Sequence, residues 1–156
     1  MVITSYDTVQ QKIWSILETI TDPEIPVLTI IDLGIVRDVR CNDDEIEIMV
    51  TPTYSGCPAV DVININIRMA LLEAGFQNIK ITQKLFPIWT TDWISESGKE
   101  KLKAYGIAPP SASNTIECPQ CHSTNIKLIS QFGSTACKAL YQCADCKEPF
   151  DYFKCH

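Results

Sequence analysis

The chain has 156 residues, of which 46% are hydrophobic, with no low-complexity run, so it can form a packed core and is not a disordered chain. Residues 1–115 carry nine Lys or Arg against fifteen Asp or Glu and hold the whole net charge of −6, while residues 116–156 carry four of each. Neither part has the basic footprint of a nucleic-acid binder, the start MVITSYDTVQ lacks the features of a signal peptide, and VLTIIDLGIV is too short to span a bilayer, so a cytoplasmic protein with neither nucleic acid nor membrane as partner is expected.

Val9, Ile13, Ile16, Leu17 and Ile20 recur at helical spacing after a cap at Asp7 or Thr8, and DPEIP at 22–26 ends that helix. LGIVRDVRC and DEIEIMVT read as two strands joined at Asn42–Asp43. In the second, Ile46, Ile48 and Val50 face a core while Glu45, Glu47 and Met49 face water. Cys57 to Ala74 is helical and stops at Gly75, Asn78 to Leu85 is a third strand, and Ser95 caps a last helix that ends at Gly106. The order α-β-β-α-β-α predicts a small α+β domain with helices on a three-stranded sheet. GIAPPSASNT at 106–115 is the joint, giving a first domain at 1–110 and a second at 111–156.

TYSGCP at 53–58 places Cys57 at a helix start, where unpaired N–H groups and the macrodipole favour an anion such as a thiolate. Pro58 suits the first helical position, Gly56 permits a tight turn and leaves the sulfur uncrowded, and Thr51, Thr53 and Ser55 offer hydroxyls to a thiolate or its ligand. The plain alternative is a small buried residue, since free cysteine is often buried. A Cys–His nucleophile is poorly supported, because both histidines, His122 and His156, lie near the other end of the chain. A metal or cluster ligand, or a sulfur-handling thiol, fits the residues better.

DPEIPVLTIIDLGIV (22–36) followed by TYSGCP resembles the metal–sulfur cluster assembly family of small α+β domains over most of residues 7–107. The resemblance implies a part in iron–sulfur protein maturation, with Cys57 as the cluster-handling thiol, a transient iron–sulfur cluster as cargo, and Asp32 and Thr53 at motif positions near that cysteine. Read from the sequence alone, Asp32 is equally a turn acid and Thr53 a loop hydroxyl.

CPQC (118–121) and CADC (143–146) are two Cys-x-x-Cys knuckles 21 residues apart. Each pair turns both sulfurs toward one ion, and four thiolates complete a tetrahedron at Cys118, Cys121, Cys143 and Cys146. Clustered cysteines in a chain expected to stay in a reducing compartment point to metal ligation rather than disulfides. A segment of roughly 40 residues buries too little surface to fold alone, so metal would stabilise this β-rich ribbon. Zinc is the expected metal, with iron the alternative. Cys137 and Cys155 are left over, either as buried small residues or as a second labile site with or without Cys57, and Cys41 at a strand end reads as structural.

The ribbon, with FGSTACKALYQCADCKEPFDYFKC (132–155), and the stretch WTTDWISESGKEKLKAYGIAPP (89–110) extend the resemblance nearly end to end, to the family of accessory subunits of phenylacetyl-CoA epoxidase systems. That resemblance implies a non-catalytic maturation factor whose partners are the cluster assembly machinery and an iron–sulfur client, the epoxidase reductase. Self-association is left open by the sequence. The competing readings are a thiol-dependent enzyme or oxygenase subunit, and a nucleic-acid-binding zinc ribbon. The sequence contains no Glu-x-x-His pair of the di-iron kind, and the charge argues against nucleic acid.

Overall fold

The computed structural model describes residues 5–111, 113 and 115–154. The chain divides into two compact units, residues 1–89 and 90–156.

In the first unit, helix α1 (Ser5–Leu17) begins ahead of the expected cap, so Asp7 sits in its first turn, where an acid complements the macrodipole. Ile13 and Leu17 are fully buried. The helix stops at Leu17 rather than at DPEIP. Thr19 N–H donates to the Ile16 carbonyl and Ile20 N–H to the Leu17 carbonyl, both at 3.1 Å, so the last turn tightens to i→i+3 bonds and still buries Ile20. Residues 29–34 form a turn, with Gly34 at φ 68°, and strand β1 (Val36–Cys41) starts after it.

Strand β2 (Ile46–Val50) is the centre of a three-stranded sheet ordered β1-β2-β3, antiparallel to β1 and parallel to β3 (Ile79–Gln83). A parallel neighbour demands a crossover, and helix α2 (Ala59–Glu73) makes it. Its Ile63, Ile67 and Leu71 are at most 1% exposed, so truncating one of them to Ala would cost about 2–5 kcal/mol. The helix ends with Phe76 N–H donating to the Leu71 carbonyl and Gly75 N–H to the Leu72 carbonyl, Gly75 holding φ 96°. The alternation expected of β2 holds for Ile46, Ile48 and Val50, but Met49, expected on the wet face, is also buried.

The second unit opens with helix α3 (Glu96–Ala104), capped as expected by the Ser95 hydroxyl, which accepts from Gly98 N–H at 2.9 Å. A four-stranded sheet follows in the order β4-β7-β6-β5, comprising β4 (Ile107–Ala108), β5 (Ile126–Ser130), β6 (Lys138–Cys143) and β7 (Pro149–Phe153). Strands β5, β6 and β7 form an antiparallel meander, and β4 joins β7 in parallel, Ile107 opposite Asp151. The units therefore part upstream of the expected 110/111 boundary. Ala108 packs with Cys118, Cys143 and Phe150 in one buried cluster, which draws residues before the double proline into the ribbon.

Candidate metal centre and thiol site

Among the described residues the seven cysteines are free thiols, and four of them converge. The sulfurs of Cys118, Cys121, Cys143 and Cys146 all lie within 4.8 Å of one another. Cys118 and Cys146 are 3.6 Å apart and Cys121 and Cys143 3.5 Å. A tetrahedron of ~2.3 Å metal–sulfur bonds has edges of about 3.8 Å, so the donor set fits a thiolate-loving metal ion with little adjustment. Four sulfur ligands would leave such an ion no open coordination position, the pattern of a structural rather than a catalytic centre.

The two knuckles share one backbone solution. His122 N–H donates to the Cys118 carbonyl at 2.9 Å and Lys147 N–H to the Cys143 carbonyl at 3.1 Å. The residue after each second cysteine takes the left-handed conformation, His122 at φ 62° and Lys147 at φ 67°. The first cysteine of each knuckle is buried against the ribbon core and the second is exposed. Asp145 clips the knuckles together: one carboxylate oxygen accepts the Ser123 hydroxyl and the other the Asn125 amide at 3.2 Å. The Ser123 hydroxyl, chiefly, holds the Asp145 carboxyl below its usual range. No sequence pattern signals this clip, because its three members are common loop residues.

Four sulfurs so close together cannot all ionise without a cation. The backbone N–H of Cys146, 3.5 Å from the Cys143 sulfur, helps pull that thiol down to about 7. At Cys146 a backbone hydrogen bond from Glu148 is outweighed by burial and by the three neighbouring thiols, which push it up to about 12. A bound metal ion would reverse that repulsion.

In the first unit, Cys57 follows a turn in which its N–H donates to the Tyr54 carbonyl at 3.3 Å. Helix α2 begins two residues later, with Pro58 at its cap position in helical geometry and no side chain bonded to the free N–H groups. The sulfur was expected to be uncrowded, but Cys57 is only 7% exposed. Gly56 serves the turn through φ 76°, and a Cβ there would meet nothing within 4 Å. Thr51 N–H donates to the Ile35 carbonyl at 2.8 Å, which ties the start of the 51–57 loop to the turn carrying Asp32. The Thr51 hydroxyl is buried and finds no hydrogen-bond partner in the described structure. Thr53 is half-buried in the same loop.

The 8%-exposed Asp32 exchanges bonds with Thr29: its carboxylate accepts from Thr29 N–H at 3.2 Å, and its own N–H donates to the Thr29 hydroxyl at 3.0 Å. Trp89, which no local motif links to this turn, donates its indole N–H to the Leu33 carbonyl at 2.7 Å and is 1% exposed. Cys137 is buried, 3.0 Å from the Thr135 hydroxyl, and outside the four-sulfur group. Cys155 lies outside the described residues. Among the described residues no helix is long and apolar enough to cross a membrane.

Two family models cover most of the chain: the iron–sulfur cluster assembly protein family matches residues 10–80, and the PaaD zinc β-ribbon domain matches residues 103–154. The chain is 50% identical over 151 residues, 92% of each protein, to an Escherichia coli (strain K12) protein provisionally named as a 1,2-phenylacetyl-CoA epoxidase subunit. It is 34% identical over 95 residues, 60% of this chain and 90% of the relative, to a Porphyromonas gingivalis protein named Fe-S protein maturation auxiliary factor. A Bacillus anthracis structure described as a domain of unknown function, DUF59, superposes with a TM-score of 0.59 at 27% identity, covering 63% of this chain and 94% of that one. The similarity to the Escherichia coli relative thus runs across both the assembly-type domain and the ribbon, along 92% of each protein, and the chain belongs to the PaaD family.

Proposed function

We propose that this protein is a non-catalytic, cytoplasmic maturation factor that handles an iron–sulfur cluster or its sulfur at Cys57 and delivers it to the reductase of a phenylacetyl-CoA epoxidase. The observation that carries the reading is a thiol at an uncapped helix start, in a loop with an orphaned buried hydroxyl at Thr51, on a domain without histidine. An unmatched buried polar group is rare and fits a loop that completes its bonding with something outside the chain. A nucleophilic enzyme would need a base. The two buried acids of the domain, Asp22 and Asp32, accept backbone N–H bonds within their own turns. Asp32 on this reading holds the turn and Thr53 lends a hydroxyl to the cargo site, while Cys137 is a packed core residue. The relatives' names, a maturation factor and an epoxidase component, support the client class.

The ribbon cysteines, Cys118, Cys121, Cys143 and Cys146, hold zinc on this reading, and the metal supplies only structure: it fixes a docking surface for the client or the assembly machinery. The test is Cys57→Ser in cells lacking the native protein. The variant should fold with an unchanged circular dichroism spectrum, yet leave the client reductase without its cluster absorbance. Full cluster content in the reductase would return Cys57 to a packing role.

A further inference from the structure

Helix α2 is apolar on two sides. Val60, Ile63, Ile67 and Leu71 point into the core of the first unit. Val62, Ile65, Met69 and Leu72 recur at helical spacing on the other side and are 44%, 57%, 54% and 48% exposed. Scattered exposed apolar residues need no account, but four in one helical stripe form a contiguous patch on the order of 300 Å². We propose that this stripe is a homodimer interface in which two copies of α2 pair antiparallel about a twofold axis at Ile65.

The sequence of the helix favours that register. A twofold at Ile65 sets Ile65 on the partner's Ile65, brings Val62 beside the partner's Met69, and sets the exposed Pro58 opposite the partner's Leu72. In an antiparallel isologous pair each flank of the stripe meets the same flank of the other copy. One flank carries two exposed charges, Asp61 and Arg68. The same register places each Asp61 beside the partner's Arg68, giving two ion pairs. In a parallel twofold pair this flank would meet the partner's other flank instead, so the Asp61–Arg68 pairs belong to the antiparallel arrangement alone. Arg68 is already held beside the stripe by its Nη1–H bond to the Ile79 carbonyl at 2.9 Å, which leaves its other N–H donors for a carboxylate.

The patch is smaller than the ~800 Å² per partner of a standard stable interface, so the dimer is reversible, with a dissociation constant in the range of about 10–100 µM. Cys57 lies eight residues from the axis, which separates the two Cys57 positions along the paired helices by about 24 Å. The dimer therefore does not bring two thiols to one cluster, and it forms independently of the function proposed above.

Sedimentation equilibrium of the full, metal-loaded chain across that concentration range should show monomer–dimer exchange. Ile65→Glu should leave monomer throughout. Asp61→Arg should weaken the dimer about tenfold, and Asp61→Arg with Arg68→Asp should restore it, because the swap regenerates both pairs. Cys57→Ser should leave association unchanged. Since these positions are exposed, circular dichroism should report folded protein in each case. As a second measurement, Ile65→Cys should form a disulfide with its own copy under mild oxidation. A chain that stays monomeric, or a dimer indifferent to Ile65→Glu, overturns the proposal. Monomeric protein in which Ile65→Glu abolishes cluster delivery would also overturn it, by assigning the face to another protein.

Discussion

At the scale of single residues, the turn of residues 29–34 is held from outside by Trp89, whose indole N–H reaches the Leu33 carbonyl at 2.7 Å. Trp89→Phe keeps an aromatic ring but leaves that buried carbonyl without its donor, and should lower stability by about 1–3 kcal/mol in denaturant melts. An unchanged midpoint would mean that water or a neighbour replaces the indole. The bond joins residues 56 positions apart, so no local pattern could announce it. The place of Cys57 just ahead of a helix was legible because a small-residue turn precedes it and Pro58 opens the helix. The thiol's burial was not, because cover over a side chain is a tertiary property. Thr29 and Asp32 stand three apart in the arrangement of a capping box, and their reciprocal bonds hold the turn. His122, by contrast, matters through its backbone. A left-handed L residue is strained relative to glycine, so His122→Gly should stabilise the metal-loaded ribbon by about 1 kcal/mol. A destabilised variant would show that the imidazole has a role of its own.

The order of secondary-structure elements is legible in the periodicity of the sequence, because each element buries one face at its own spacing. The ribbon's sulfur spacing was equally plain, since two Cys-x-x-Cys pairs have a narrow range of geometric uses. Strand β4 escaped because two residues before a double proline carry no period at all. Its pairing with β7 and the burial of Ala108 beside Cys118 and Cys143 make it part of the four-cysteine ribbon. Ala108→Asp should therefore act like damage to a ligand: an unpaired carboxylate in that cluster should destabilise the ribbon by at least about 2 kcal/mol and speed loss of metal to a chelator. Elemental analysis of anaerobically purified wild type should give about one zinc per chain. Normal metal retention in Ala108→Asp would return the ribbon's start to the far side of Pro110. Cys118→Ser should melt the four-stranded sheet and spare α1, α2 and the three-stranded sheet.

Across the whole molecule the charge is divided as unevenly as the chemistry. Residues 1–89 carry six Lys or Arg against twelve Asp or Glu, whereas residues 90–156 carry seven of each. The thiol thus sits on an acidic unit and the four sulfurs on a neutral one. Such a field repels phosphate backbones and attracts basic protein surfaces, and it acts over a Debye length of about 8 Å at physiological salt. Its exposed focus in the first unit includes Asp43 and Asp44, in the turn between β1 and β2. For a client reductase that docks there, association should slow several-fold as salt rises from about 0.05 to 0.5 M while dissociation barely changes. Asp43→Lys with Asp44→Lys should flatten that dependence without unfolding the turn, whose Asp44 carbonyl still accepts the Asn78 amide. Stopped-flow binding of purified reductase would read both arms. A salt-insensitive on-rate would remove electrostatic steering from the account. Tight retention on DNA with a steep salt slope would contradict the charge argument itself and restore the nucleic-acid reading of the ribbon.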